Sequence, residues 1–389
     1  MAAAKISKIS IPKAREAFDC VALVLQGGGA LGAYQCGAYE ALAEADVLPT
    51  WVAGISIGAI NGAIIAGNPP ETRVERLWEF WDTITRSPVN PWIDGLGPWL
   101  LRGEWARQIF GQSSALGALV GGAEGFFKPR VPSPWFQPTG SVAATSFYDT
   151  DQLRTTLERL IDFDRINSGE VRLSVGTVNV QSGNFVYFDT EKDRIGPEHI
   201  MASGALPPGF PAVEIDGQRY WDGGLVSNTP LQWIVEQDKC EDTLMFQIDL
   251  WNARGQFPQT MADVLTRQKE ITFSSRTREQ TDRFKEHQRL CRILADFLDR
   301  LPPDLKKGPE AEFLEAAANR ATYNIVHLIY RAQNYEGQSK DYEFSRLSMS
   351  DHWKAGYDDA VRTLRHPAIF ERAKDCAGIA TFDLSREPG

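Results

Sequence analysis

The chain has 389 residues, enough for one large domain or two ordinary ones with a sizeable core. Apolar residues make up 43% and charged residues 24%, which excludes global disorder and fibrous repeats. A formal net charge of -10 argues against nucleic acid as a partner and leaves any attraction to an anionic membrane to a local patch.

Five scattered cysteines (Cys20, Cys36, Cys240, Cys291, Cys376) contain no CxxC pair. They exclude a disulfide framework and a cysteine zinc site, and they suit a reducing compartment. Met1 to Cys20 lacks the continuous apolar core of a secretory signal. The longest apolar stretch, Val52 to Gly67, is broken by Ser56, Gly58, Asn61 and Gly62 and falls short of a membrane span. The expectation is a cytoplasmic protein, at most peripheral to a membrane.

After an N-terminal arm (1–19), residues 20–255 alternate strand-like and helix-like runs, which predicts α/β architecture with a mostly parallel sheet. Val21 to Leu25 is a buried strand stopped by three glycines, and Leu31, Tyr34, Ala38 and Leu42 follow at helical spacing. Trp51 to Ala53 is a second strand with a tight helix after Ser56. Asp149 or Thr150 caps a third helix with Leu153, Leu157, Leu160 and Ile161 on one face. Val171 to Val180, Phe185 to Phe188 and Thr243 to Leu250 read as further strands. Asp216-Gly217 makes a hairpin between Val213–Ile215 and Gln218–Trp221.

Two segments stand apart. Residues 88–140 are rich in Gly and Pro yet carry Trp92, Trp99, Trp105 and Trp135 with Phe110, Phe126, Phe127 and Phe136. They form a cover over the site, a surface that meets lipid, or a second small core. Residues 256–389 read as a mostly helical extension, with Phe284, His287, Leu290, Leu294, Phe297 and Leu301 on one face. Leu265 to Lys307 carries a local basic excess that reads as a solvated face, and a helical tail of this kind can build a homo-oligomer.

Three motifs carry the chemistry. Gly54, Ser56 and Gly58 form a GxSxG pentapeptide after a strand and before a helix, the setting that presents a nucleophilic serine on a sharp turn. Gly27, Gly28 and Gly29, with Gly32, lie between the first strand and its helix. They satisfy GxGxxG, yet the following strand ends in the serine motif and not in the acidic residue that a dinucleotide site wants. The serine favours the other use of such a loop, an N–H cradle for an oxyanion. Asp222 closes a strand and is followed by Gly223 and Gly224, which leave room beside it. None of the five histidines (His199, His287, His327, His352, His366) lies in a glycine-framed turn, and His327 reads as a core residue. A partly desolvated carboxylate can serve the serine directly.

The blocks VALVLQGGGALGAYQ, GISIG, ASGALPPGFP (Ala202 to Pro211) and YWDGGLVSNTP (Tyr220 to Pro230) together resemble patatin-like phospholipases of the bacterial branch, over about residues 20 to 250. The resemblance implies a three-layer α/β/α fold and acyl hydrolysis by a Ser56–Asp222 dyad. It places the oxyanion hole on the backbone of Gly27, Gly28 and Gly29, with no metal and no cofactor. Leu31 stands where many members carry Lys or Arg, which removes a positive charge from the loop. The expected substrate is a lipid carboxylic ester. The alternatives are another hydrophobic ester, thioester or intracellular polyester, and a non-catalytic lipid-binding protein.

Overall fold

A computed structural model describes residues 17–86, 104–237, 241–274, 277–332, 336–337 and 339–384. It opens with β1 (Cys20–Leu25), whose residues are all buried, as a continuous apolar run between two helical layers requires. A short 3-10 turn at Gly29–Gly32 leads into α1 (Ala33–Glu44), then β2 (Trp51–Ile55) and α2 (Ile57–Ala66). Next come α3 (Arg73–Ile84), α4 (Glu104–Gly121), the short strands β3 (Lys128–Pro129) and β4 (Tyr148–Asp149), α5 (Asp151–Leu160) and α6 (Phe163–Ile166). β5 (Arg172–Asn179), β6 (Phe185–Asp189), α7 (Pro197–Ser203), β7 (Val213–Ile215) and β8 (Gln218–Asp222) follow. The rest comprises α8 (Leu231–Gln237), β9 (Thr243–Asp249), α9 (Met261–Phe273), α10 (Thr277–Arg300), α11 (Pro309–Ala317), β10 (Tyr323–Ile329), α12 (Arg346–Leu364) and β11 (Ile379–Phe382).

Among the described residues, β11-β10-β9-β1-β2-β5-β8-β7 form one sheet in that order, with β6 also paired to β5. Pairings from β11 through β5 are parallel, and β6, β7 and β8 are antiparallel. Alternate residues of each strand serve opposite faces. Leu23, Val52, Leu173 and Phe246 join one core with Leu42 of α1, Ile60 of α2, Phe80 of α3 and Leu157 of α5. Ala22, Ala53 and Met245 meet Leu231 and Ile234 of α8 on the other face. The fold is the expected three-layer α/β/α sandwich with a mostly parallel sheet. No helix among the described residues is long and apolar enough to cross a membrane.

The region beyond residue 255 is largely helical, and it also supplies β10 and β11 to the same sheet, with Tyr323 opposite Thr243. α12 lies against α1 with backbones in contact: a Cβ on Gly37 would fall 1.8 Å from the Trp353 carbonyl oxygen, and one on Gly356 would fall 1.9 Å from that of Tyr34. His327 sits buried in β10, in keeping with a core residue. α10 is turned from its expected phase. Thr281, Phe284, Gln288, Cys291, Ala295 and Leu298 face inward, while Leu290 and Phe297 are exposed. Phe284 packs against Tyr323 of β10, and the inward Gln288 is satisfied by the Ala321 carbonyl at 3.0 Å.

Candidate active site

Ser56 links β2 to α2 at φ 57°, a left-handed conformation that a non-glycine residue rarely adopts. The turn is tight enough to need its flanking glycines. A Cβ on Gly54 would lie 2.3 Å from the Gly58 carbonyl oxygen, and one on Gly58 would lie 2.4 Å from that of Leu25. The Ser56 N–H donates to the Ser203 hydroxyl oxygen at 2.9 Å, and that hydroxyl donates to the Gly176 carbonyl at 2.7 Å.

Sheet register brings Asp222 to the serine. Ile55 pairs with Gly176 of β5, and Asp222 pairs with the next residue, Thr177, so the end of β8 arrives where β2 leaves. Asp222 is 2% exposed, and its N–H donates to the Ala205 carbonyl at 3.0 Å. Its Oδ1 accepts from the Gly224 N–H at 2.7 Å. Gly223 packs behind it, where a Cβ would meet the Gly176 carbonyl oxygen at 2.7 Å. Burial pushes the Asp222 carboxyl up to about 7, while its side-chain interaction with Ser56 and the Gly224 bond act in the opposite direction.

Gly27, Gly28 and Gly29 line one cavity with Ser56, Asp222 and Gly224. The three glycines are not equivalent. The Gly27 N–H is taken by the Asn228 carbonyl at 3.3 Å, whereas the N–H groups of Gly28 and Gly29 have no acceptor among the described residues. Ile57, the first residue of α2, also lines the cavity with an N–H that has no such acceptor. It follows the serine at the start of a helix, where an N–H has no intrahelical acceptor. The Gly27 carbonyl is itself held by Asn228 Nδ2 at 2.9 Å and Trp251 Nε1 at 3.0 Å.

The cavity holds about 300 Å³, with walls that include Ile60, Leu206, Phe210 and Phe344. Phe126 and Phe127 of the aromatic segment help line it and pack with tilted rings against Phe210, whereas Trp135 and Phe136 are exposed. Trp92 and Trp99 lie outside the described residues. None of the five histidines lines the cavity. No group of His, Cys, Asp or Glu suited to a metal ion occurs among the described residues.

The C-terminal region roofs the glycine loop. The Asp341 carbonyl accepts from the Ala30 N–H at 2.8 Å, and the Asp341 carboxylate pairs with Lys269 of α9 at 2.8 Å. Lys340 pairs with Glu270 of α9 at 2.9 Å. The Phe273 carbonyl, at the end of α9, receives Gln26 Nε2 at 3.2 Å and Asn228 Nδ2 at 2.9 Å. Ser203, Asn228 and Gln26 act through long-range contacts with backbone, and sequence reading assigned them no role. All three do fall inside blocks that carried the family resemblance, Gln26 in the first, Ser203 in the third and Asn228 in the fourth.

No curated protein matches the chain in sequence. Among solved structures it is similar to VipD from Legionella pneumophila, with 15% identity and a TM-score of 0.38 over 91% of this chain and 67% of that one. It is also similar to the type III effector protein ExoU, with 17% identity and a TM-score of 0.21, over 66% of this chain and 51% of that one, about half its length. Residues 271–375 match a family model described as patatin phospholipase. Residues 23–232, more than half of the chain, match the model of patatin-like phospholipases. The chain therefore belongs to the patatin-like phospholipase family, a family of lipid acyl hydrolases.

Proposed function

We propose that this protein hydrolyses lipid carboxylic esters through a Ser56–Asp222 dyad and an acyl-enzyme. The observation that carries the reading is the buried Asp222 carboxyl, pushed up to about 7, beside a serine on a strained elbow. A carboxylate with that basicity is matched to proton transfer near neutral pH, which an ordinary surface aspartate is not.

Asp222 takes the Ser56 proton as the hydroxyl oxygen attacks the ester carbonyl. The negative charge that develops on the carbonyl oxygen is received by the free N–H groups of Gly28 and Gly29, aided by the start of α2. Collapse expels the alcohol, which leaves with the proton held by Asp222, and the acyl group stays on Ser56. Water then attacks the acyl-enzyme, Asp222 accepts its proton, and the fatty acid departs as the proton returns to Ser56. The apolar walls suit an acyl chain and exclude water from the oxyanion.

The test is labelling with a fluorophosphonate probe followed by peptide mapping. Modification of Ser56, absent in Ser56→Ala and slowed in Asp222→Asn, is expected. A folded protein that never labels, with or without detergent, would leave a lipid-binding role without catalysis. A panel of phospholipid, neutral lipid and thioester substrates then ranks the acyl donors.

A further inference from the structure

Val131 to Phe147 contains no charged residue, in a chain where 24% of residues are charged. Nor does Gln108 to Ala123, which covers most of α4. Both segments nevertheless present large apolar groups to solvent. In the loop, Val131 is 91% exposed, Trp135 83% and Phe136 80%, and Val142 is exposed too. On α4, Leu116, Leu119 and Val120 are exposed. The outer face of α10 makes a contrast: its exposed Leu290, Ile293 and Phe297 are interleaved with Arg289, Arg292 and Asp296, the pattern of a solvated helix.

The loop is built to hold these groups outward. Pro132, Pro134 and Pro138 restrict its backbone. Gln137 Nε2 donates to the Pro132 carbonyl at 2.8 Å, the Phe136 N–H to that of Ser133 at 2.9 Å, and the Ser141 hydroxyl to that of Pro138 at 2.8 Å. A structure that fixes Trp and Phe in water forgoes their burial, and exposed large apolar groups gathered in two uncharged segments mark an interaction surface.

Its position relates it to the cavity. The loop rises from the β3–β4 pair, where Lys128 lies opposite Asp149 and Pro129 opposite Tyr148. Tyr148 and Phe127 line the cavity, and so does Leu119, whose carbonyl accepts from the Tyr148 hydroxyl at 3.0 Å. At the loop base, Arg130 is neutralised by Asp149 at 2.9 Å.

We propose that the Val131–Phe147 loop and the exposed end of α4 form a docking face for a lipid surface with zwitterionic or uncharged head groups, seating the cavity mouth against it. The proposal deepens the acyl-hydrolase reading and rests on it for the source of the substrate. Charge decides the occupant. A face without ionisable groups loses no charge hydration on entering the head-group layer and gains nothing from anionic lipid. A protein partner would instead call for arginine or other charged anchors around the apolar groups, which the two segments lack. Trp135 suits the boundary, where the ring enters the acyl region and the indole N–H stays among polar groups.

The experiment uses the full chain and the double variant Trp135→Ser with Phe136→Ser, whose side chains are exposed and make no core contact. Three quantities are measured: co-sedimentation with phosphatidylcholine vesicles, hydrolysis of those vesicles, and hydrolysis of dissolved p-nitrophenyl butyrate. The wild type is expected to bind the vesicles at both low and about 1 M salt, where charge attraction is screened. In the variant, partition and vesicle hydrolysis fall by about ten- to a hundredfold while hydrolysis of the dissolved ester is unchanged. Unchanged partition in the variant overturns the proposal. So does binding confined to anionic vesicles and lost at high salt, and so does self-association that depends on Trp135 without vesicle binding. Absence of dissolved-ester hydrolysis in the wild type, with vesicle binding still dependent on Trp135, defeats the catalytic reading and leaves the docking face standing.

Discussion

The Ser56 N–H is fixed to the Ser203 hydroxyl at 2.9 Å, and two residues further on the Ala205 carbonyl fixes the N–H of Asp222 at 3.0 Å. The last residue of α7 and the short segment after it therefore hold both Ser56 and Asp222 by their main chains. Ser203→Ala removes the acceptor for a half-buried N–H and the donor to the Gly176 carbonyl. It is expected to destabilise the fold by about 1–3 kcal/mol and, by loosening the elbow, to lower kcat about tenfold with KM unchanged. Thermal melts and steady-state kinetics on a dissolved ester check both; an unaltered kcat would show that the elbow holds without this bond.

Asp222 must be ionised to accept a proton, and burial raises its pKa from 3.8 to about 7. kcat/KM is therefore expected to rise with pH and level off above an apparent pKa near 7. A profile already flat from pH 5 upward would assign the base elsewhere. Asp222→Asn is expected to abolish turnover at every pH.

The same shift has a thermodynamic side. A carboxyl whose folded pKa is raised holds its proton in the native state after the unfolded chain has lost it. Its stabilising effect is complete below about pH 4 and is lost as the pH climbs through 7. Asp222→Asn removes this dependence, so the inactive variant is expected to be more stable than the wild type at pH 8, by up to about 4 kcal/mol. The difference shrinks toward pH 4. Paired melts across that range decide it, and equal melting temperatures at pH 8 would mean that the wild-type carboxylate is solvated.

Gly29 has φ +56°, and a Cβ there would fall 2.1 Å from the Asp341 carbonyl oxygen. Gly29→Ala adds backbone strain of about 1 kcal/mol and forces either the loop or its roof to move. Loss of more than a hundredfold in kcat is expected, since one oxyanion donor alone is worth that much. Gly27→Ala disturbs a residue whose N–H is already engaged, but its Cβ would meet Asn228 Oδ1 at 2.4 Å, so it tests packing in place of oxyanion binding.

Ser56, Asp222 and the glycine loop were legible in the sequence because each needs a local backbone: a strained turn, a strand end beside two glycines, a helix start. The β5 register that joins Ser56 to Asp222 was not, because no local pattern states which residues pair across a sheet. Ser203 was missed for a related reason: its partner lies 147 residues away and is a main-chain N–H, which has no side-chain signature. Residue size alone does not mark the inner face of α10: Cys291 and Ala295 are buried there with Phe284, while the larger Leu290 and Phe297 are exposed. β10 lay in a run read only as a core environment for His327.

The pairing of β10 with β9 bears on how the protein comes apart. All seven residues of β9 are buried, and Tyr323 to Ile329 cover its outer edge along its whole length. A chain truncated after residue 255 would bare that apolar edge to self-association and strip α12 from the glycine-bearing face of α1. The tail is thus an integral part of the sheet, and a proteolytic cut between α9 and α10 should leave two fragments that stay together until both melt in a single calorimetric transition.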